Sequence, residues 1–191
     1  VRIRLLTPLA KYMGTEAADK ITRDAIQIHG GVGFMAESEV GKLHRDAIIT
    51  TIYEGTSEIQ VSFALKEIGK GALGVVFEEL ESELKTFDEP RMKTLADKVL
   101  AGMQEILGAA GSLLADFRYA MMSAQSLAEV VASVVAAGEL LKQAKADPRR
   151  FDLAASWIDR RMVDLEARCK RIRTGSVSRL DRCDAIVALV D

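Results

Sequence analysis

Glu54 sits where a carboxylate could act as a base. It falls in the run Ile52-Tyr53-Glu54-Gly55-Thr56-Ser57-Glu58-Ile59-Gln60, just ahead of a predicted helix start. Free backbone N–H groups and the positive end of a helix dipole gather at such a place. They can hold charge that develops on an oxygen. A carboxylate beside them serves as a general base if burial raises its pKa. Gly55 has no side chain and lets a flat ligand approach the backbone closely. A second run, Gln27-Ile28-His29-Gly30-Gly31-Val32-Gly33-Phe34, leaves main-chain N–H groups open, which suits a pyrophosphate. Its glycines do not follow a strand, which argues against a Rossmann loop. Taken alone, the same residues also read as a helix end, a loop and an acidic residue at a helix start.

The elements that must position these residues are helical. Thr7-Pro8 reads as an N-cap with a first-turn proline. From there Leu9, Met13, Ala17, Ile21, Ala25 and Ile28 recur at helical spacing, and Gly30-Gly31 stops the helix. Val32 to Thr51 shows no strong periodicity and reads as a long connection, a kind of segment that is often functional. Within it, Arg45 and Asp46 read as a structural pair. The next helix starts at Thr56-Ser57, with Ser57 and Gln60 in capping-box register, and runs to about Lys70. A short helix follows to Lys85, and Asp88-Glu89-Pro90 opens another. Steps of four and three then link Met92, Ala96, Val99, Met103, Ile106, Ala110, Leu113 and Phe117, and continue through Ala120, Ala124, Leu127, Val131, Val134, Gly138 and Leu141, in a heptad-type seam. A hairpin turning between Gly108 and Ser123 folds that seam more compactly than one helix of ~75 Å. Asp147-Pro148 begins a helix ending near Gly175, and Ser178 with Asp181 can cap a last one. The boundary between the chemistry-bearing part and the regular bundle falls near Gly69–Gly74.

Composition agrees with an all-α fold. Of the 191 residues, 49% are hydrophobic, 5% are aromatic and three are proline. A net charge of −2 gives no reason to expect nucleic-acid binding. Cys169 and Cys183 form neither a disulfide framework nor a zinc pattern, so a reducing compartment is expected. No apolar run reaches the ~18 residues of a membrane span. No stretch combines basic and aromatic residues on an amphipathic face, so membrane attachment is not expected. The text opens at Val1 as if inside a longer polypeptide. His29, Trp157 and the group Met103, Met121 and Met122 read as structural, and His44 as exposed. Arg149-Arg150, Arg160-Arg161 and the basic run from Arg168 to Arg173 read as solvated faces.

The stretch from Ala10 to Leu65 resembles the closing part of the acyl-CoA dehydrogenase catalytic domain. Gln-x-x-Gly-Gly-x-Gly-Phe, an Arg-Asp pair and Ile-Tyr-Glu-Gly-Thr-Ser-x-Ile-Gln stand in one fixed register, ungapped from Gln27 to Glu54. The resemblance covers roughly the first 70 residues. It implies that residues 1–70 end a catalytic helical domain and that 71–191 form a helical extension like that of longer family members. It casts Glu54 as the base that takes the α-proton of an acyl-CoA thioester while hydride leaves the β-carbon for FAD. Relatives with the base on an earlier helix carry a small residue at this place, and here the glutamate is present. Gln27, Gly30 and Gly31 would hold the FAD pyrophosphate of a neighbouring subunit. Thr56 and Glu58 would lie along the flavin and its adenosine side, although many relatives have an uncharged residue where Glu58 stands. Gly55 and Lys66 would face the coenzyme A substrate, Lys66 standing where some relatives have an arginine.

The resemblance further implies a homodimer, an electron-transferring flavoprotein as acceptor, and a cytoplasmic setting or the mitochondrial matrix. No metal is implied. Two other functions remain open on these residues: a non-catalytic helical scaffold or dimerisation module, and an acyl-CoA oxidase using the same base.

Overall fold

The computed structural model describes residues 1–188, and within them the chain is helical without strands. It divides into two compact units, Val1–Ala72 and Leu73–Asp191. The range 71–191 ends in three residues that lie outside the described ones.

The first unit is built on α1 (Arg2–His29), against which α2 (Gly31–Phe34), α3 (Glu39–Ile48) and α4 (Ser57–Gly69) pack. Its buried centre is formed by Leu5, Leu9 and Tyr12 of α1 with Val61 and Ala64 of α4. The helix starts five residues before the expected Thr7-Pro8 cap, and Pro8 lies inside it. A proline there removes one backbone bond. The buried residues Leu5, Pro8, Leu9 and Tyr12 continue one apolar face across it, and that packing outweighs the loss. The apolar stripe expected along all of α1 is buried at Leu9, whereas Ile21 and Ile28 are 66% and 84% exposed. The far half of α1 meets α3 through a polar contact instead. Thr22 Oγ1 lies 3.0 Å from His44 Nδ1, and Asp19 Oδ1 lies 3.8 Å from the same nitrogen. His44 is therefore half-buried rather than exposed, and His29 is exposed.

The expected connection from Val32 to Thr51 is instead structured as α2, α3 and a 3-10 turn at Ile49–Thr51. Close approach of glycines explains how. A β-carbon on Gly33 would stand 2.8 Å from His29 Cβ and 2.9 Å from the Ile26 carbonyl, so a side chain there would keep α2 off α1. Asp46 is bound to Lys42 one turn back at 2.6 Å, an i,i+4 pair that replaces the expected Arg45–Asp46 partnership. In an extended or helical backbone, adjacent side chains diverge, which disfavours the i,i+1 pair.

In the second unit α5 (Ala72–Leu84) precedes a hairpin of α6 (Pro90–Ser112) and α7 (Phe117–Ala146). A 3-10 turn at Pro148–Arg150 leads into α8 (Phe151–Thr174), followed by the short α9 (Ser178–Asp181) and α10 (Cys183–Val187). Carboxylates open α6, α7 and the 3-10 turn before α8. Glu89 accepts from the N–H groups of Arg91 and Met92, Asp116 from Arg118 and Tyr119, and Asp147 from Arg149. At α9 the cap is Ser176, whose hydroxyl accepts from the Ser178 N–H; Ser178 itself is the first helical residue. The heptad seam is the core: Val99, Met103, Ile106, Leu127, Val134 and Leu141 are buried, and α8 packs on both arms of the hairpin with Ile158, Leu165 and Ile172.

Glycines set the spacing here too. A β-carbon on Gly138 would overlap Leu80 of α5, and one on Gly102 would press on Met162 and Leu165 of α8. Trp157 donates to the Ser133 carbonyl at 3.1 Å, and Met103 is core, whereas Met121 is exposed and Met122 half-buried. The basic run of α8 is not simply solvated: Arg173 pairs with Glu105 of α6 and Arg168 with Glu129 of α7, each at 2.5 Å. One described helix, α7, is after all long and apolar enough to cross a membrane, and more than half of its apolar window is buried inside the bundle.

Two outcomes follow for the bundle. Gly138→Val should lower the unfolding free energy by about 1–3 kcal/mol through overpacking. Gly108→Ala should raise it by about 0.5–1 kcal/mol, because the new methyl meets the Arg173 guanidinium at ordinary contact distance. Urea denaturation of both variants checks the pair. Both cysteines are free; Cys169 is buried and its thiol is pushed up to about 11 by burial, while Cys183 is exposed. A chromogenic disulfide reagent at mildly alkaline pH should therefore titrate one thiol in the native chain and two after denaturation.

Candidate functional site

The turn between the 3-10 helix and α4 carries the expected base. The N–H groups of Ile52 and Tyr53 both donate to the Ile49 carbonyl at 3.1 Å, which closes the 3-10 turn. The backbone then enters the left-handed region twice in succession, at Glu54 (φ 53°) and Gly55 (φ 95°). Among the described residues Glu54 is the one non-glycine with a positive φ. A β-carbon makes that conformation unfavourable by about 1–2 kcal/mol, so the surrounding contacts must impose it.

Those contacts come from α4 and α1. The Gln60 side chain donates to the Glu54 carbonyl at 2.9 Å, and Lys11 Nζ donates to the Gly55 carbonyl at 2.8 Å. Lys11 also stands 5.8 Å from the centre of the Tyr53 ring. The Ser57 hydroxyl donates to Glu16 of α1. Gly55 has no room for a side chain, since a β-carbon would approach Gln60 Nε2 at 3.0 Å and Ile59 Cγ2 at 3.3 Å.

This arrangement corrects the expected cap. The N-cap of α4 is Thr56, whose hydroxyl oxygen accepts from the Ile59 N–H at 3.4 Å. Ser57 is inside the helix and turned to Glu16, and Gln60 reaches back to a carbonyl rather than completing a capping box. The Thr56 hydroxyl keeps its hydrogen to donate elsewhere. Glu54 and Glu58 are exposed, and Glu58 stands in the first turn of α4, where the helix dipole favours a negative charge.

The sequence-predicted residues fall into separate groups. Glu54, Gly55, Thr56 and Glu58 share the turn. Lys66 is exposed in the last turn of α4, about 14 Å along that helix from its start. Gln27, Gly30 and Gly31 lie at the far end of α1, about 24 Å along it from Lys11. There Gln27 is exposed and open space surrounds Gly30 and Gly31, which leaves room for a bulky anion against the backbone. The N–H groups expected to be open are partly engaged, however. Gly30 donates to the Gln27 carbonyl and Gly33 to the Gly30 carbonyl. Lys11 and Glu16 were not anticipated. They are separated from the turn by more than forty residues, and no local spacing signals them.

Residues 2–69 match the family model described as acyl-CoA dehydrogenase, C-terminal domain. Over this segment the chain is similar to the acyl-CoA dehydrogenase family. Over 52 residues, 27% of the chain, it is 56% identical to the short-chain specific acyl-CoA dehydrogenase, mitochondrial, of Sus scrofa, covering 13% of that protein. Over 52 residues, again 27% of the chain, it is 44% identical to the caffeyl-CoA reductase-Etf complex subunit CarC of Acetobacterium woodii, covering 14% of it. A crystal structure of an acyl-CoA dehydrogenase complexed with FAD from Bacillus anthracis superposes on 96% of the chain with a TM-score of 0.71 at 20% identity. At that identity the likeness concerns the fold, and it extends beyond the acyl-CoA dehydrogenase segment into the second unit. The chain spans 35% of that structure's length, and the matched stretches are a small part of the two relatives.

The left-handed Glu54 has a measurable consequence. Glu54→Gly removes the β-carbon and should raise the free energy of local opening at residues 53–57 by about 0.5–1 kcal/mol. Amide hydrogen exchange of that peptide reads it: exchange should slow severalfold.

Proposed function

We propose that the chain is part of a flavin-dependent acyl-CoA dehydrogenase in which Glu54 takes the α-proton of an acyl-CoA thioester. The observation that carries this reading is the exposed Glu54 carboxylate on a backbone held left-handed by Gln60 and Lys11, within a segment of acyl-CoA dehydrogenase sequence. In this reading residues 1–70 close the catalytic helical domain and residues 71–191 are an extension to it.

An α-proton beside a thioester becomes acidic when negative charge can move to the carbonyl oxygen. The Glu54 carboxylate receives the proton. Gly55, bare of a side chain, lets the flat thioester lie against the turn. FAD, when bound, supplies the acceptor for the hydride that leaves the β-carbon. Thr56 offers its hydroxyl hydrogen to the flavin, and Glu58 lies on the adenosine side. Gln27 and the open ground at Gly30 and Gly31 suit the pyrophosphate of a cofactor held by a second subunit, which agrees with their lying about 24 Å along α1 from Lys11, the residue bonded to the Gly55 carbonyl. Lys66 would face the coenzyme A nucleotide. An electron-transferring flavoprotein as acceptor, a homodimer, and a place in the cytoplasm or the mitochondrial matrix complete the proposal.

Substitution at Glu54 tests it in the complete polypeptide. Glu54→Gln keeps the size of the side chain and cannot take the proton. FAD content and acyl-CoA affinity should stay near normal while flavin reduction falls by more than the ~10²–10⁴ assigned to general-base catalysis. Glu54→Asp should lose less, since its carboxylate is drawn back by one methylene. Stopped-flow reduction by butyryl-CoA and palmitoyl-CoA is the measurement, and near-normal reduction of the Gln variant would remove Glu54 from the base role.

A further inference from the structure

Two carbonyls decide how the Glu54 turn is held. A trans peptide sets its N–H opposite its C=O, and no cis peptide bond occurs among the described residues. Fixing the Glu54 carbonyl on Gln60 and the Gly55 carbonyl on Lys11 therefore fixes the planes of both peptides that follow the base. The torsions of Gly55, which lies between those planes, are then set, and the Glu54 Cα, which lies in the first of them, is held in place. Gln60 belongs to the same short run as the turn and would move with it. Lys11 does not. It comes from α1, 44 residues away in sequence, and it is half-buried. Its ammonium makes a charge-assisted bond to the carbonyl, and Tyr53, next to Glu54, lies beside the same ammonium.

We propose that Lys11 is a positioning residue for Glu54, anchoring the left-handed turn to α1 so that the carboxylate is held toward its substrate. This inference rests on the reading of Glu54 as the base. Lys11 touches neither reacting atom in this account. It acts by denying the turn a right-handed alternative that Glu54, with its β-carbon, would otherwise prefer. A displacement of about 1 Å at a catalytic group can reduce a rate ~10²-fold, so the orientation of a single peptide is enough to matter.

The test uses Lys11→Met, which keeps length and apolar stem and removes the donor, and Lys11→Arg, which keeps a charged donor. In the FAD-loaded complete polypeptide, Lys11→Met should slow flavin reduction by butyryl-CoA or palmitoyl-CoA about 10–100-fold, with thioester affinity, FAD content and melting temperature little changed. Lys11→Arg should recover most of the rate. In the chain itself, without cofactor, Lys11→Met should speed amide exchange of residues 53–57 by about tenfold or more, the loss expected for one charge-assisted bond. Added to Glu54→Gln, Lys11→Met should slow reduction no further, because there is then no base to position.

A normal reduction rate in Lys11→Met, unchanged exchange at the turn, failure of Lys11→Arg to restore the rate, or parallel loss of rate, affinity and melting temperature would each overturn the proposal. Full reduction by Glu54→Gln alone overturns the base reading instead. The exchange measurement still decides in that case whether Lys11 holds the turn.

Discussion

A left-handed glutamate followed by a left-handed glycine is the constraint on which the first unit turns. Local sequence preference disfavours it at Glu54, and the steric conflict of a β-carbon there amounts to about 1–2 kcal/mol. The conformation persists because Gln60 fixes the Glu54 carbonyl from within the run, while Lys11 and Glu16 of α1 fix the Gly55 carbonyl and the start of α4. Those contacts depend in turn on how α1 lies against α4. That packing comes from Leu5, Leu9 and Tyr12 meeting the face that holds Val61 and Ala64. A buried apolar seam thus sets the register, and two polar α1 residues, Lys11 and Glu16, convert that register into the geometry of a loop. Strain kept at a site by its surroundings is how a fold presents a reactive group in an uncommon direction.

The second unit follows a simpler logic. Its α6 and α7 open on carboxylate caps, its core is the heptad seam closed into a hairpin, and α8 covers the exposed groove of that hairpin. Gly102 and Gly138 let neighbouring side chains sit against the helix backbone. Tyr119 donates to the carbonyls of Arg171 and Ile172 at the end of α8, over a place where Gly175 leaves room for its ring. The ion pairs across its helices are mostly surface pairs and contribute little individually. Among the described residues there is no cluster of His, Cys, Asp or Glu able to hold a metal.

What the sequence reveals here depends on how local the cause is. Pro90 after Glu89, the glycine end of α1 and the periodic seam are determined by residues within a turn or two of one another, and the corresponding helices are legible from pattern. The hairpin turn falls between Ser112 and Phe117, inside the range that compactness demands. Three features depend on partners distant in sequence and are not legible. Pro8 stays inside α1 because apolar burial on both sides outweighs one lost bond. α3 is amphipathic but only ten residues long, and its close seating beside α2 depends on Gly41 having no side chain. Ser57 leaves the cap because Glu16 takes its hydroxyl. At the candidate site, the short motif identifies Glu54, while the left-handed torsion and its Lys11 anchor emerge only from the packed structure.

The central claim is that the Glu54 carboxylate faces the α-carbon of a thioester. A crystal structure of the complete polypeptide with FAD and a non-reactive thioether analogue of an acyl-CoA tests it most directly. The account predicts a Glu54 carboxylate oxygen at close contact with the analogue's α-carbon, about 3 Å away, with the Glu54 and Gly55 torsions left-handed and Lys11 on the Gly55 carbonyl. A carboxylate turned away from the α-carbon, with another acidic side chain in its place, would contradict it.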